Sequence, residues 1–351
     1  MNKNSIMIAM SGGVDSAVAA YLASRGRSAA GVTMQLAFEN GAHHEAALRD
    51  IADAAATCEI LGLKHTVADL RDAFYRHVVT PFIEEYLAGK TPNPCVDCNK
   101  AVKFGALLDF ARQNGYERIA TGHYAQIERD HNGRYLLRRA KDTTKDQTYV
   151  LYSLSQEVLA TTELPLGGMT KQEVRTLAAD LGLVAAHKSD SQDICFIPNG
   201  DYGAFITSHT KEPIQKGCFL SLDGRVLGEH RGVIHYTIGQ RKGLGIALGR
   251  PAFVVSKSAA QNTVTLGEDQ DLFTTRLTVN NINLIPYDTL KAPVKLLAKA
   301  RYRQEAAPAR VEQTGEDELT VEFEVPQRAV SAGQALVLYD GDYVVGGGKI
   351  L

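Results

Sequence analysis

Two stretches of this chain carry residues whose types and spacing could do chemistry together. The first is Ser11-Gly12-Gly13-Val14-Asp15-Ser16, which follows the apolar run Ile6 to Met10 and leads into the helix-forming Ala17 to Leu22. Two glycines at a strand-to-helix turn let backbone N–H groups converge on an anion, and the helix N-terminus adds partial positive charge. A bare Gly-Gly turn more often serves only a positive φ, with Asp15 or Ser16 capping the helix. The full hexapeptide in this setting is a phosphate cradle in form. It is not a Walker A loop, because no Gly-Lys-Ser/Thr follows.

The second stretch is Cys95-Val96-Asp97-Cys98, preceded by Thr91-Pro92-Asn93-Pro94 and joined from far along the chain by Asp193-Ile194-Cys195-Phe196-Ile197. The prolines predict a stiff loop with no helix until about Asn99. Cys98 then lies at or just before a helix N-terminus, where the dipole, with Lys100 and Lys103 nearby, would lower the thiol pKa and favour the thiolate. Five cysteines in 351 residues are too few for a disulfide scaffold. In a reducing compartment their Cys-x-x-Cys spacing points to redox chemistry, catalysis or metal. Cys58, in an Ala-rich run, and Cys218 read as buried free cysteines. A structural zinc site wants four ligands, and no second Cys-x-x-Cys or His-x-x-x-His appears. An iron–sulfur cluster on Cys95, Cys98 and Cys195 with one open iron stands as the alternative. His43 and His44, adjacent on a polar loop, are expected to face solvent rather than a metal.

The pattern around these stretches says what must position them. Short apolar runs alternate with longer amphipathic ones, as strands and crossover helices of a parallel sheet do. Strands are predicted near Ile6 to Met10, Ala29 to Met34, His65 to Ala68 and Arg118 to Ala120. Helices are predicted near Ser16 to Ser24, Arg49 to Leu61, Asp72 to Leu87 and Ala101 to Gln113. Asn114-Gly115 stops the last of these, and Thr170-Lys171-Gln172-Glu173 is a capping box opening another toward Leu181. After about Gly200 the runs become short and β-branched, broken by turn pairs such as Asp223-Gly224 and Asp340-Gly341, so that half should be mostly β. A Pro286 to Pro293 segment is expected to join two small β domains. Length fits two or three domains, placed at 1–205 (α/β), 206–283 and 284–351 (both mostly β). A hydrophobic fraction of 44% excludes a disordered chain. No apolar run is long enough to span a bilayer, and Ile6 to Met10 is too short for a secretory signal core, so a cytoplasmic location is expected.

A net charge of −2 argues against a generally basic nucleic-acid binder but leaves room for local basic faces. Lys291, Lys295, Lys299, Arg301, Arg303 and Arg310 stand against one acid, Glu305, with Tyr302 between two arginines. Arginines flanking an aromatic suit phosphate contact and base stacking, although a solvated strand face would read the same way. A second cluster is Arg134, Arg138, Arg139, Lys141 and Lys145, and a third, Arg241-Lys242, sits in a Gly-rich turn. Arg301 is the stronger candidate over Lys295 and Arg310, which only charge recommends.

Ser-Gly-Gly-x-Asp-Ser resembles the PP-loop of the ATP pyrophosphatase superfamily, whose members cleave ATP between α and β phosphates and leave an adenylated intermediate. Together with Thr91-Pro92-Asn93-Pro94, Cys98-Asn99-Lys100, Lys103-Phe104, Ala120 to Tyr124, Lys145-Asp146-Gln147, Asp193 to Ile197 and Thr237 to Gly245, it makes the chain similar to the MnmA family of tRNA-specific 2-thiouridylases over nearly its whole length. The resemblance implies an N-terminal adenine nucleotide alpha hydrolase-like domain with a parallel sheet, then two small β domains, the last a tRNA-binding β-barrel. It implies ATP-dependent adenylation of the C2 oxygen of the wobble uridine of lysine, glutamate and glutamine tRNAs, then sulfur transfer giving 2-thiouridine, AMP and pyrophosphate. Cys98 corresponds to the nucleophile and Cys195 to the persulfide carrier; Cys98 would release the sulfur either by forming a disulfide with Cys195 or by helping to convert the persulfide to a more reactive sulfide. Ala9, Met10, Ser11, Gly12, Gly13, Val14, Asp15, Ser16, Met34 and Gly122 correspond to ATP contacts. Asn93, Pro94 and Cys95 correspond to target-base contacts, and His123, Lys145, Asp146, Gln147, Arg301, Tyr302 and Gln334 to tRNA contacts. ATP with Mg2+, tRNA and a persulfide sulfur-relay donor protein are the implied partners, and a monomer is expected. One common form of the family has aspartate where this chain has Cys95, and the stretch after Met34, Gln35-Leu36-Ala37-Phe38, leads into a shorter segment than the family's.

Overall fold

In a computed structural model that describes residues 4–36, 42–183, 194–197 and 200–351, with the backbone alone at 42 and 43, the first apolar run becomes β1 (Ile6–Ala9). Ile6, Met7 and Ile8 are at most 1% exposed, because helices cover both faces of the sheet and leave no polar side for the strand to alternate toward. There follow α1 (Val14–Ser24), β2 (Ala29–Gln35), α2 (Ala42–Ile60) and β3 (Lys64–Asp69). A helical stretch is divided into α3 (Arg71–Phe74), a π turn at Tyr75–Val79 and α4 (Thr80–Leu87). A second runs as α5 (Pro94–Asp97), a π segment at Cys98–Ala106 and α6 (Leu107–Gln113), and ends at Gly115 with φ +82°. β4 (Arg118–Ala120), a hairpin of β5 (Gln126–Arg129) and β6 (Tyr135–Arg138), α7 (Gln156–Thr161), β7 (Thr162–Glu163) and α8 (Lys171–Asp180) complete the first domain. The sheet is parallel in the order β3-β2-β1-β4-β7. Its strand order reverses between β1 and β4, the switch point beyond whose carboxyl ends such sheets bind ligands. Both the Ser11 to Ser16 loop and the Thr121 to Tyr124 stretch leave the sheet there.

Small residues set the packing distances. α1 is buried on two sides: Ala20 and Ala23 pack with Ile6 and Ile8 of the sheet, and Ala17, Val18 and Ala19 with Val174 and Ala178 of α8. β2 lies closer still to α2, since a Cβ on Gly31 would come within 2.3 Å of the Cys58 sulfur. Cys58 is therefore a packing residue, fully buried, its thiol pushed up to about 11 by that burial. Gly31→Ala should cost about 1–3 kcal/mol of stability by overpacking, and Cys58→Ala in the same chain should recover most of it. Denaturant midpoints of the two variants check this. Cys218, expected buried, is only half so, and His44 lies half-buried on α2 rather than on a loop. Expectations that fall on 37–41, 184–193 and 198–199, such as the segment after Leu36, lie outside the described residues.

The second half is β-rich as its turn pairs predict, after a short α9 (Tyr202–His209). β8 (Gly217–Leu220), β9 (Val226–His230), β10 (Phe253–Ser258) and β11 (Thr263–Gly267) form one sheet in the order β10-β11-β8-β9. β12 (Phe273–Leu284), β13 (Val294–Lys299), β14 (Ala307–Gly315), β15 (Glu318–Arg328), β16 (Ala335–Asp340) and β17 (Tyr343–Ile350) close into a six-stranded barrel, because β12 pairs with both β15 and β17. β12 thus belongs to the barrel, and the expected 283/284 junction would cut it away. Pro286 to Pro293 is a corner inside the barrel rather than a linker, tied there by the Ile285 N–H donating to Val345 O at 2.9 Å. β6 pairs with β17, so the first domain's hairpin extends the barrel sheet and fixes the two domains together. Among the described residues no helix is long and apolar enough to cross a membrane.

Candidate active site

The loop after β1 is closed by one hydroxyl. Ser16 Oγ donates to Gly13 O at 2.9 Å and accepts from the Ser11 N–H at 3.1 Å. Gly12 has φ +69°, and a Cβ there would meet Asp50 O at 2.6 Å, so this position admits only glycine. Gly13 is the extended N-cap of α1 and no side chain caps the helix, which leaves first-turn N–H groups for an anion. Ala9 and Met10 end the strand beneath the loop and Met34 sits near the end of the neighbouring β2. Gly122 backs onto the loop, where a Cβ would lie 2.9 Å from Ser16 N. Asp15 turns away from the helix axis to Lys171, whose Nζ is 2.9 and 2.8 Å from its two carboxylate oxygens, and accepts from the Tyr124 hydroxyl at 2.8 Å.

The cysteine segment departs from its sequence expectation. The helix starts at Pro94, not near Asn99, because Asn93 caps it by accepting from the Cys95 N–H at 3.2 Å and proline at the first helical position gives up no needed N–H. Cys98 consequently sits a full turn inside, 7% exposed, and burial pushes its thiol up to about 12 against the opposing charge of Lys103. The expected low-pKa thiolate is replaced by a protonated, sheltered thiol. The preceding loop is pinned to the barrel: the Thr91 N–H donates to Ala332 O at 2.9 Å and Gln334 Nε2 donates to Thr91 O at 2.7 Å. An ion pair between Glu85 and Lys349 adds to the same seam.

Cys195 is placed by its apolar flanks. Phe196 packs its ring at 5.5 Å from Phe74, 5.3 Å from Phe82 and 5.3 Å from Phe205, and Ile197 is buried. This anchor brings Cys195 into electrostatic contact with Cys98 and Cys95, and Lys103 acts on all three thiols. Cys95 and Cys195 keep exposed edges, yet burial around their sulfurs raises both thiols. All five cysteines are free. Among the described residues no three His, Cys, Asp or Glu side chains are placed to hold a metal ion, so Cys95, Cys98 and Cys195 do not form a ready cluster ligand set.

Four consecutive residues after β4 connect the two halves. Thr121 Oγ1 lies 2.8 Å from His123 Nδ1, and His123, buried beside Phe104 at 5.6 Å, is held neutral first by burial and then by Lys103. Gly122 touches the phosphate loop and Tyr124 its aspartate. Sequence reasoning missed Lys171 and Tyr124. The capping box did form, with Thr170 as N-cap. A lysine at the first position of that helix opposes the dipole, and that local misfit was the available signal.

Residues 4–199 match the family model described as the tRNA methyl transferase HUP domain, residues 203–268 the tRNA methyl transferase PRC-barrel domain, and residues 274–350 the aminomethyltransferase beta-barrel domain. The tRNA-specific 2-thiouridylase MnmA of Clostridioides difficile is 45% identical across 100% of this chain and 98% of its own length. That of Acetivibrio thermocellus is 45% identical across 100% of both. The chain belongs to the MnmA family.

Within that MnmA framework, the residues expected to meet tRNA divide into two groups. Several are spent inside the protein. Asp146 accepts from the Ala140 N–H and the Thr148 hydroxyl, and Gln147 accepts from the Tyr124 N–H. Gln334 holds Thr91, and Arg301 donates to Ile238 O, Ala329 O and Ser331 Oγ, joining the central domain to the barrel. Tyr302, 43% exposed, instead stands at the edge of the cysteine site, its phenol raised by burial and then by Asp146 and Cys95. Lys299 lies over its ring at 5.7 Å. Most of the second basic cluster is likewise paired internally: Arg134 with Asp288, Arg138 with Glu128 and Lys141 with Glu173. Lys295 and Arg310 pair with Glu324 and Glu312.

Proposed function

We propose that this chain is a tRNA 2-thiouridylase that activates a uridine with ATP on the Ser11 to Ser16 loop and delivers sulfur to it from Cys195. The observation that carries this reading is the Thr121 to Tyr124 stretch, which touches the phosphate loop through Gly122 and Tyr124 and the cysteine helix through His123. A nucleotide and a sulfur carrier can then act on one atom. ATP enters as its magnesium complex. The target base, flipped from its stack, presents O2 to the α-phosphate, which releases pyrophosphate and leaves C2 bonded to an adenylated oxygen. The terminal sulfur of a Cys195 persulfide attacks C2 and AMP departs. Cys98 thiolate then attacks the Cys195 sulfur of the resulting C–S–S link, forming a Cys98–Cys195 disulfide and freeing the thiocarbonyl. An external dithiol returns both cysteines to thiols. The wobble uridine of lysine, glutamate and glutamine tRNAs, a persulfide relay donor, a monomeric state and a cytoplasmic setting complete the proposal. Nucleoside mass spectrometry of tRNA incubated with the chain, ATP, magnesium and a persulfide source tests it; absence of 2-thiouridine with both cysteines intact and reduced rejects it.

The tRNA face centres on Tyr302 with Lys145 and Arg303. Arg303 is exposed and without an ion pair among the described residues. Arg303→Ala should lower the log–log salt slope of tRNA binding by about one. Arg301→Ala should leave that slope unchanged and instead cost about 1–3 kcal/mol of stability, since it strips buried acceptors of their donor. Filter binding across salt concentrations, with denaturation of both variants, separates the two.

A further inference from the structure

The cysteine helix contains a nine-residue π segment, Cys98–Ala106, whose last ring is closed by the Leu107 N–H donating to Val102 O, five residues back. Such i→i+5 segments are rare and tend to mark functional sites. Their consequence for side chains is a change of face: residues four and five apart come to share one side of the helix, whereas in an α-helix that side is shared by residues three and four apart. Cys98 and Lys103 are separated by five.

Lys103 is half-buried and has no hydrogen bond or ion pair among the described residues. Its charge acts on Cys95, Cys98 and Cys195 and, from the end of β4, on His123. The other groups acting on Cys98 are negative or become so: Cys195, Cys95 and Asp97. Lys100, exposed on the same segment, acts on Asp97 and on none of the cysteines. The groups on which its charge acts can supply a negative charge only when a sulfur is ionised.

We propose that the π segment sets Lys103 beside the three cysteine sulfurs as the fixed counter-charge of whichever one is anionic, thiolate or persulfide, making it a positioning residue for the sulfur half of the site. The role in sulfur transfer rests on the thiouridylase reading; the charge pairing itself does not. Loss of that charge should make every nearby thiol harder to ionise, while the nucleotide loop is untouched.

The test is alkylation of the full-length reduced chain by iodoacetamide from about pH 7 to about pH 11, resolved by peptide mass spectrometry so that each cysteine is followed separately. Lys103→Met should slow modification of Cys98 and Cys195 about tenfold at a given pH, equivalent to one unit of thiol pKa. Lys103→Arg should keep the native rates, and Lys100→Met should leave them unchanged. Lys103→Gln, closer in polarity, supplies the same comparison if the methionine variant unfolds. Native rates in the neutral variants, or equal slowing by Lys100→Met, would overturn the proposal. A native chain that shows the Lys103 effect but forms no 2-thiouridine would reject the thiouridylase reading and leave the charge pairing standing.

Discussion

Cys195→Ser should form no 2-thiouridine yet still release pyrophosphate from ATP and leave the tRNA adenylated. A hydroxyl cannot carry transferable sulfur, and the position of residue 195 is fixed by Phe196 and Ile197 rather than by its own side chain, so activation on the phosphate loop is left intact. Cys98→Ser should lose thiolation equally, but by a different route. The thiol that attacks the Cys195 sulfur is then missing, so the C2–S–S–Cys195 link should accumulate, and after nuclease digestion the Cys195 peptide should carry the extra sulfur with its nucleotide. The buried serine hydroxyl costs about 1–3 kcal/mol, which a stability measurement allows for. Cys95→Asp is the control that separates two chemistries: the persulfide route needs only Cys98 and Cys195 and predicts retained activity. 2-Thiouridine made by Cys195→Ser, or no sulfur held by Cys98→Ser, would rule out the persulfide route.

What the sequence made legible followed local rules. The strand-to-helix turn at Ser11 to Ser16, the capping box at Thr170 and the β-rich second half all depend on neighbours in sequence, and they stand where pattern and composition put them. The Gly-Gly pair reads as one device in sequence, whereas only Gly12 takes the left-handed conformation, and only there would a side chain run into the α2 backbone at Asp50. The cysteine helix starts earlier than its prolines predict because Pro94, behind an Asn93 cap, is a first-turn residue and not a breaker. That shift of one turn, and the π register after it, reverses the expectation for Cys98 from an activated thiolate to a buried thiol. Arg301 shows the opposite limit: its charge and its neighbour Tyr302 point to RNA, but its three acceptors come from two segments, at Ile238 and at Ala329 to Ser331, both far from it in sequence. No local pattern reports those.

Lys171 is the clearest case of a residue that only tertiary structure reveals, and its replacement should have the second large effect. Lys171→Met should lower ATP-dependent AMP formation by about 10²-fold, the scale on which one fixed electrostatic partner of a reacting group commonly acts. The reason lies in Asp15, the loop's own carboxylate, which is held at both oxygens by a lysine whose side chain is 10% exposed and at one by Tyr124. Without the ammonium the carboxylate keeps one hydrogen bond and its full charge beside the place where phosphate must bind, so it both loses orientation and repels the nucleotide. Asp15→Asn removes that repulsion but also the anchor. If Lys171 acts through Asp15, the double variant Asp15→Asn Lys171→Met should be no slower than the slower single, a non-additivity typical of groups that act as a unit. Fully additive losses would mean that Lys171 meets the nucleotide directly, and native AMP formation in Lys171→Met would remove the pair from the activation step altogether.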